Sequence, residues 1–333
     1  MLDLNRLKNF ISRHPRLLIG LSAIVILILF FLFTSLTRRP APGLPLIGPL
    51  ATPTPIFVEP TVYTPPATID LAQAESVVRV SEVTTYVIPP TTTIKLNTEK
   101  IISQFQLSTE PETITTPFIQ VQTWTGPDYY LNHNLIAHQI SLGRNDETKI
   151  AKTGTFRSPA SLALDTINLV NSLQVFAPEI KFKLERYSYF SAGGEWPEPS
   201  NIANAQFIEI ILTPQIDNLP IYQQEVPYIS AAFDRANKII KLTIINPIPS
   251  FTKSTTNLIA TVDQLKSRPS SDFFRLFVKP ETSQQYFLSA PDIQNLTPSR
   301  LSLGLYLENS VLSPIYLLQS SNYLYATSTV QNQ

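Results

Sequence analysis

The sequence predicts an α+β fold that follows a transmembrane helix and a proline-rich stalk, with mostly antiparallel sheet units, each preceded by a helix. Three observations support this prediction: an uncharged apolar run near the N-terminus, a cluster of prolines after it, and short alternating runs of β-branched and aromatic residues. We predict a cytoplasmic tail at 1–16, a transmembrane signal anchor at 17–37, a linker at 38–67, and two α+β subdomains at 68–155 and 156–333.

The apolar run Leu17–Thr37 contains no charged residue. A helix of this length spans roughly 30 Å, the thickness of a bilayer's hydrocarbon core. A cleaved signal peptide is the alternative, although its apolar region is usually shorter and ends in small residues. Four basic residues precede the run and two follow it, which predicts a cytoplasmic N-terminus. We therefore expect a single-pass protein of the cell membrane, with the lipid bilayer around Leu17–Thr37 and the C-terminal domain outside the cytoplasm.

Composition excludes several classes of function. The chain of 333 residues has 25 basic and 25 acidic side chains, and beyond residue 39 it has 19 basic and 24 acidic ones, a net charge of −5. This net charge does not predict the positively charged surface that binds nucleic acid. The absence of cysteine excludes disulfides and thiolate metal sites, and the scarcity of glycine argues against phosphate-binding turns. We predict no small-molecule cofactor and no nucleic-acid partner.

Three helices are predicted from their capping signals. The clearest is Pro159–Val175, with Ser158 as N-cap and proline at the first helical position. A weaker helix spans Thr98–Gln106, capped by Asn97, and a short third helix starts after Thr261. Each of these helices is followed by predicted strands.

The strands are predicted from β-branched and aromatic runs with a period of two, as in Lys181–Tyr187. This pattern favours an antiparallel sheet. The runs are Val83–Ile88, Phe118–Trp124, Leu135–Leu142, Ile180–Phe190, Ala205–Leu212, Val226–Phe233, Ile239–Ile245, Phe273–Val278, Leu301–Leu307 and Pro314–Gln319.

The segment Asp217–Leu242 contains a Pro-Ile-Tyr strand, a second strand, and a turn from Asp234 to Asn237 into a third. This order resembles the hairpin of PepSY-like and YycH/YycI-like extracytoplasmic domains. In those domains the turn passes through a glycine, and Asn237 occupies that position here. Asparagine tolerates the left-handed conformation, so we expect the turn to be preserved.

A second pattern near the C-terminus supports the same resemblance. Leu301–Tyr306, Leu312–Tyr316 and Tyr323–Ala326 follow the order of the closing strands of such domains. With a single N-terminal span, the architecture looks like that of membrane-anchored proteins that dock on an envelope-sensing kinase. The resemblance implies a regulatory, non-catalytic role.

Motifs for catalysis and metal binding are present only in fragments. Ser250–Lys253 fits S-x-x-K and Lys152–Gly154 fits K-T-G, but their order is the reverse of that in serine penicillin-binding enzymes. His133 and His138 are five residues apart, which favours ordinary surface or edge histidines over a metal pair. A Ser–His–Asp triad built from distant residues remains open. We predict no catalytic residue and no metal site.

One loop is a candidate for binding a partner. Gly193, Gly194, Glu195, Trp196 and Glu198 lie between two long predicted strands, and an amphipathic aromatic residue on such a loop is a suitable recognition residue. The alternative is that Trp196 covers the edge of the sheet. A glycosidase pair of Glu195 and Glu198 requires a cleft with two different carboxyl environments.

These observations together predict a membrane-anchored, extracytoplasmic, non-enzymatic module that binds or regulates another envelope protein. The first alternative is a structural or adhesive surface protein. The second is a hydrolase that acts on the cell wall or on a glycan, with its active groups assembled from distant residues.

Overall fold

A computed structural model describes residues 66–329 of the chain, with gaps at 79, 90–93, 95, 117, 192–196, 224–226, 279–294 and 321–322. Contacts between Cα atoms divide the chain into Met1–Gly48 and Pro49–Gln333, and all the described residues belong to the second unit. The predicted anchor at 17–37 and nearly all of the predicted linker lie outside the described residues. In the part that is described, no helix has the length and apolar character needed to cross a bilayer.

The described residues form nineteen strands and three α-helices. The elements of the first 150 residues are β1 (Thr68–Ile69), β2 (Glu75–Ser76), β3 (Glu82–Val87), α1 (Glu99–Phe105), β4 (Glu112–Thr115), β5 (Gln120–Thr125), β6 (Tyr129–Asn134) and β7 (Gln139–Arg144). They are followed by α2 (Pro159–Leu173), β8 (Lys181–Ser191), β9 (Glu198–Pro199), β10 (Phe207–Ile216), β11 (Leu219–Tyr222), β12 (Ile229–Asp234) and β13 (Ile239–Ile245). The last elements are β14 (Thr252–Leu258), α3 (Val262–Lys266), β15 (Phe274–Val278), β16 (Asn295–Leu296), β17 (Arg300–Glu308), β18 (Val311–Gln319) and β19 (Tyr323–Ser328).

The first sheet consists of two halves with the same order of elements, a helix followed by a four-stranded meander. The first half is α1 with β4, β5, β6 and β7, and the second is α2 with β8, β10, β12 and β13. The halves meet where β7 pairs with β13, with Leu142 opposite Leu242 and Ile140 opposite Ile244. The result is an antiparallel sheet in the order β4-β5-β6-β7-β13-β12-β10-β8-β9.

The second sheet is centred on β17 and β18, which pair along their whole lengths. One edge of β18 is shared by β3 and β19, with β14 outside β3 and β15 outside β19. Strand β11 joins the two sheets, since it forms a hairpin with β10 and pairs in parallel with β17. The fold is therefore a sheet-dominated α+β arrangement, which confirms the predicted fold class in its main outline.

One continuous core lies between these elements. In β10, Ile208, Ile210 and Leu212 are fully buried, and α2 contributes Leu162 and Leu173 to the same cluster. Alternation along β10 directs these three residues to one face, and α2 packs against β10 and β8. The core extends without interruption into the second sheet, so the two sheets are stabilised by shared apolar burial.

The predicted helices are found, with one error in capping. Ser158 accepts a hydrogen bond from the amide of Ser161 at the start of α2, and Thr261 forms a capping box with Gln264 at the start of α3. Helix α1 begins instead after Thr98, which forms no side-chain cap. Asn97 is not the cap, because its amide donates to the carbonyl of Leu173 and holds it against the end of α2.

The predicted strands agree with the structure where apolar alternation is strong, and β13 has the predicted bounds. The predicted strand Leu135–Leu142 is wrong in its first half, because the chain turns there and His138 adopts a positive φ of 47°. Strands β4, β6 and β14 were not predicted. Their sequences contain mainly Thr, Asn, Ser and Tyr, so they lack the alternation that marks a half-buried strand.

Candidate functional site

A cleft of about 470 Å³ lies between α1 and α2, over the seam where the two halves of the first sheet meet. Its volume is within the range of binding pockets in proteins, about 300–1,000 Å³. Its two walls come from the facing sides of the helices: Lys100, Gln104 and Phe105 on α1, and Asp165, Asn168, Leu169 and Ser172 on α2. The walls are therefore mostly polar, with amide, hydroxyl and ammonium groups.

The floor of the cleft is apolar and fixed by aromatic contacts. It consists of Tyr129, Phe233 and Ile239 from three strands of the sheet. The ring of Phe105 meets Tyr129 edge-on, with centroids 4.8 Å apart. The Tyr129 hydroxyl donates to the carbonyl of Ile239 at 3.0 Å, which ties the first half of the sheet to the second.

One end of the cleft is formed by the turn from Asp234 to Lys238, which joins β12 to β13. Asp234 is fully buried, and its Oδ1 accepts hydrogen bonds from the amides of Ala236 at 3.0 Å and Lys238 at 2.9 Å. Its Oδ2 accepts from the amide of Ala151 at 3.2 Å. A buried carboxylate is stable when it is hydrogen-bonded and paired, and here these bonds determine the path of the turn.

The counter-charge of Asp234 is Arg144, at the end of β7 in the other half of the sheet. The Nη1 of Arg144 lies 3.8 Å from the Oδ2 of Asp234, and both side chains are almost fully buried. Arg144 also donates to the carbonyl of Lys149 at 2.7 Å and to the Tyr129 hydroxyl at 3.1 Å. This ion pair therefore links the two halves directly below the cleft.

Hydrogen bonds to residues outside the turn also hold it in place. Asn237 has a φ of 58°, which confirms the left-handed conformation predicted at this position. Its side chain accepts from the amide of Arg157 at 2.8 Å and donates to the carbonyl of Thr155 at 3.0 Å. The guanidinium of Arg235 donates to the carbonyls of Gly154, Ile202, Ala203 and Ala205. The turn therefore presents Asn237 and Lys238 to the cleft on a rigid support.

The charged side chains of the cleft that form no ion pair with another described residue are positive. Lys100 and Lys238 are both exposed, and neither forms an ion pair with another described residue. The acid in the cleft, Asp165, is bound by the Nη1 of Arg157 at 2.6 Å. An ammonium group on α1 and another on the turn are therefore left to attract a carboxylate or another anion.

The predicted partner-binding loop is largely outside the described residues. Gly193, Gly194, Glu195 and Trp196 are among those not described, so neither the recognition role nor the covering role of Trp196 is tested. Glu198 is described: it is exposed in the two-residue strand β9 and pairs with Ser191 of β8. It therefore lies at the end of the first sheet opposite to β4.

The structure corrects the placement of one histidine. His133 is not a surface or edge residue, since its side chain is 2% exposed on β6. Burial, followed by the nearby charge of His138, lowers the pKa of His133 below that of an ordinary histidine. His138 lies in the turn between β6 and β7. Among the described residues no group of three or more His, Cys, Asp or Glu side chains could hold a metal ion.

The fragments of the serine-enzyme motifs lie in different parts of the fold, one running into β14 of the second sheet and the other in a loop beside the first sheet. Lys253 is an exposed residue of β14, with its Nζ 3.8 Å from the Oδ2 of Asp217. Gly154, with a φ of 126°, packs against the backbone carbonyl of Arg235, beside the first sheet. The pairing of Lys253 with Asp217 is typical of a surface ion pair.

Two polar groups outside the cleft have perturbed acidity. Tyr222 donates to the Oε1 of Glu185 at 3.2 Å, and Thr213 donates to its Oε2. Burial, supported by this carboxylate, raises the pKa of the Tyr222 hydroxyl. On β13, burial lowers the pKa of Lys241, and the charge of Glu209 partly opposes this effect. Tyr222 and Glu185 lie on strands that flank β10, and Lys241 and Glu209 lie on strands that flank β12, so each pair acts across one intervening strand.

The sequence signalled only one part of this site, the turn that ends in Asn237. Lys100, Asn168 and Lys238 were not singled out, because each is an ordinary polar residue on the exposed side of its element. They come together only when α1, α2 and the turn are assembled over the seam of the sheet.

No protein-family model matches the chain, and no curated protein or solved structure matches it either. The geometry of the cleft and of the turn beside it is therefore the basis for inferring a function.

Proposed function

We propose that the protein is a membrane-anchored binding or regulatory module without catalytic activity, which contacts another protein of the cell envelope. In this proposal Leu17–Thr37 crosses the membrane, the proline-rich segment to residue 67 is the stalk, and the folded part lies outside the cytoplasm. The observation that carries the proposal is the cleft between α1 and α2, in which neither Lys100 nor Lys238 forms an ion pair with another described residue.

The cleft is suited to binding because the turn at its end is already held in place before a ligand binds. The turn with Asn237 and Lys238 is held by the buried Asp234 and by the Arg144 ion pair. A preorganised site loses less entropy when it binds than a flexible one. The rigid turn therefore supports recognition by fixed hydrogen bonds and charges.

The chemistry of the walls also supports a binding role. Side chains of the cleft are amides, hydroxyls and lysines, together with an acid neutralised by Arg157. A nucleophile needs an adjacent base within hydrogen-bond distance, and Ser172 instead donates its hydroxyl to the carbonyl of Leu169 at 2.7 Å. The ligand that fits is an acidic segment with some apolar character, presented by the envelope partner.

Site-specific photocrosslinking in intact cells tests this proposal. A photoreactive residue at Asn168, which lines the cleft on α2, is expected to capture one specific membrane or envelope protein. The matched control is Ser254, an exposed residue of β14 on the second sheet, which is expected not to capture it. A reversal of charge by Lys100→Glu or Lys238→Glu is expected to reduce capture from Asn168 several-fold.

A variant with the same change of charge outside the cleft controls for general electrostatics. Lys181→Glu, at the exposed start of β8, is expected to leave capture unchanged. Equal capture from Asn168 and Ser254, or equal loss with all three charge reversals, contradicts binding in the cleft.

The proposed topology has a separate test. Because the chain has no cysteine, Ser12→Cys and Ser283→Cys each introduce a single thiol. An impermeant thiol reagent added to intact cells is expected to label the second variant and not the first. The opposite pattern shows that the orientation is wrong.

The loop Gly193–Pro199 is a second position for the crosslinker, since the sequence singles it out as a recognition loop. Capture from Trp196 and not from Asn168 places the contact on the loop. If the purified protein instead cleaves peptidoglycan or a glycan, and Glu195→Gln abolishes that cleavage, the hydrolase alternative replaces the binding role.

A further inference from the structure

Strand β4 leaves an open edge at one end of the first sheet. Among the described residues it pairs only with β5, and all four of its residues are exposed. Ile114 is 53% exposed there, although it is the apolar residue of the strand. Open edges of this kind pair readily with another strand unless a charge, a proline or a bulge prevents it.

The hydrogen bonds around the hairpin show which backbone groups are available. The amide of Thr116 donates to the carbonyl of Ile119, and the carbonyl of Gln120 accepts from Leu135 on the side of β6. Because backbone groups alternate in direction along an antiparallel ladder, Thr115, opposite Gln120, directs its groups away from β5. Thr113 does so as well, two residues earlier.

Two prolines restrict how this edge can pair. Pro111 and Pro117 stand three residues before and three residues after Ile114, and neither has an amide hydrogen to donate. Pro111 shares the odd-numbered positions whose groups face outward. A pairing centred on Thr113 would therefore place Pro111 opposite Thr115 of the second copy and lose a donor.

We propose that β4 pairs with β4 of a second copy of the chain, antiparallel and centred on Ile114, so that the first sheet continues across two molecules. In this register Thr113 faces Thr115 of the second copy, and the two pairs exchange four backbone hydrogen bonds. Glu112 faces Thr116 of the second copy, so the acids of the two strands do not oppose each other. The pairing is self-complementary, as a two-fold interface requires.

This register places the two copies of Ile114 directly opposite each other. They form a pair without mutual hydrogen bonds, in which Cα atoms are about 4.5 Å apart. That separation lies within the range of a disulfide, about 4.4–6.8 Å. The residues on either side are not self-paired, since each faces a different residue of the second copy.

Disulfide crosslinking of the full-length chain in its own membrane tests this pairing, because the chain has no other cysteine. Under mild oxidation, Ile114→Cys is expected to form a covalent homodimer several-fold more than Thr113→Cys alone or the exposed helix control Asn171→Cys. Thr113→Cys co-expressed with Thr115→Cys is expected to link the two variants to each other.

A second variant separates pairing from chance collision. Thr113→Pro removes an amide that faces away from β5, so it is expected to leave the hairpin folded while it reduces crosslinking of Ile114→Cys several-fold. The circular dichroism and melting temperature of the double variant serve as the folding control.

Three results overturn the proposal. The first is equal dimer formation by Ile114→Cys and Asn171→Cys, which indicates random encounter. The second is undiminished crosslinking with Thr113→Pro in a folded protein. The third is a disulfide adduct of Ile114→Cys with a different protein in place of the homodimer, which assigns the β4 edge to strand addition by a partner.

Discussion

The two halves of the first sheet share one order of elements and differ in how far those elements are buried. Helix α2 has 15 residues and a side-chain cap, whereas α1 has 7 residues and none. Strand β8, the counterpart of β4, is half-buried along most of its length, whereas β4 is exposed throughout. The second half is therefore the stable framework, and the first half provides one wall of the cleft and the open edge.

This difference shows that one order of supersecondary elements can have two roles, one that stabilises the fold and one that forms a binding surface. The halves are joined by the β7–β13 pairing and by the Arg144–Asp234 ion pair. Because the joint is anchored in the second half, α1 and β4 remain positioned although only Ile101 and Phe105 of α1, and no residue of β4, are buried. Variants at the joint, in the two helices and on β6 can test this comparison.

The largest loss of stability is expected at the Arg144–Asp234 ion pair, which joins the two halves. Asp234→Ala should lower the free energy of unfolding by about 3–5 kcal/mol, because it leaves a buried guanidinium without a counter-charge. Denaturation of the full chain in detergent, followed by circular dichroism, measures this change. Asp128→Ala removes the exposed partner of Lys149 and should cause no measurable change. Comparable losses in the two variants contradict the special role of the joint.

Truncation of matched core residues compares the helices. Leu173→Ala in α2 should cost about 2–5 kcal/mol, the usual range for a buried leucine. It should accelerate amide exchange in both helices, because lost packing at the end of α2 also loosens the Leu173 carbonyl, which accepts from the amide of Asn97 just before α1. Ile101→Ala, with an equally buried side chain in α1, should accelerate exchange mainly in α1. If Ile101→Ala accelerates amide exchange in α2 as much as Leu173→Ala does, the two halves stabilise each other equally.

Removal of the helix caps should have a smaller effect. Ser158→Ala should lower the free energy of unfolding by about 1 kcal/mol, the typical loss for an N-cap. Thr98→Ala is the matched control, because Thr98 makes no side-chain cap bond. Equal shifts in melting temperature for the two variants would show that the difference in capping does not distinguish the halves.

The smallest effect at neutral pH is expected from His133 in the first half. Its pKa is lowered by burial, so the unfolded chain binds the proton more readily than the folded one. Stability is therefore fully present above about pH 6.5, the ordinary value for histidine, and decreases as the pH falls toward the lowered pKa. Melting temperatures across this range measure the slope, and His133→Gln should flatten it. A slope unchanged by that substitution assigns the acid sensitivity to other groups.

Strong local signals made parts of the fold predictable. The cap at Ser158, the proline at the first helical position and the apolar stripe predict α2, and an almost continuous run of Ile, Leu and Thr predicts β13. The left-handed turn at Asn237 was also predictable, because few residues tolerate that conformation. Strand β6 was not, since Asn132 and His133 interrupt the apolar pattern although His133 is buried.

The candidate site was less predictable than the fold. Its three polar groups Lys100, Asn168 and Lys238 belong to three elements that are far apart in the chain. Nothing in the local sequence of each element distinguishes these residues from other solvent-exposed polar side chains. The turn beside them was predictable, because its conformation depends on neighbouring residues.

The sequence by itself determined the local features of this protein: where helices start, which runs extend as strands, and the exclusion of all cysteine chemistry. The tertiary structure alone decided that β7 pairs with β13, that β4 is left at the edge, and that His133 is buried. The physical reason is that capping and periodicity act between residues a few positions apart. Pairing of strands separated by about a hundred residues depends on the total burial and hydrogen bonding of the assembled sheet, which must offset the entropy of closing a long loop.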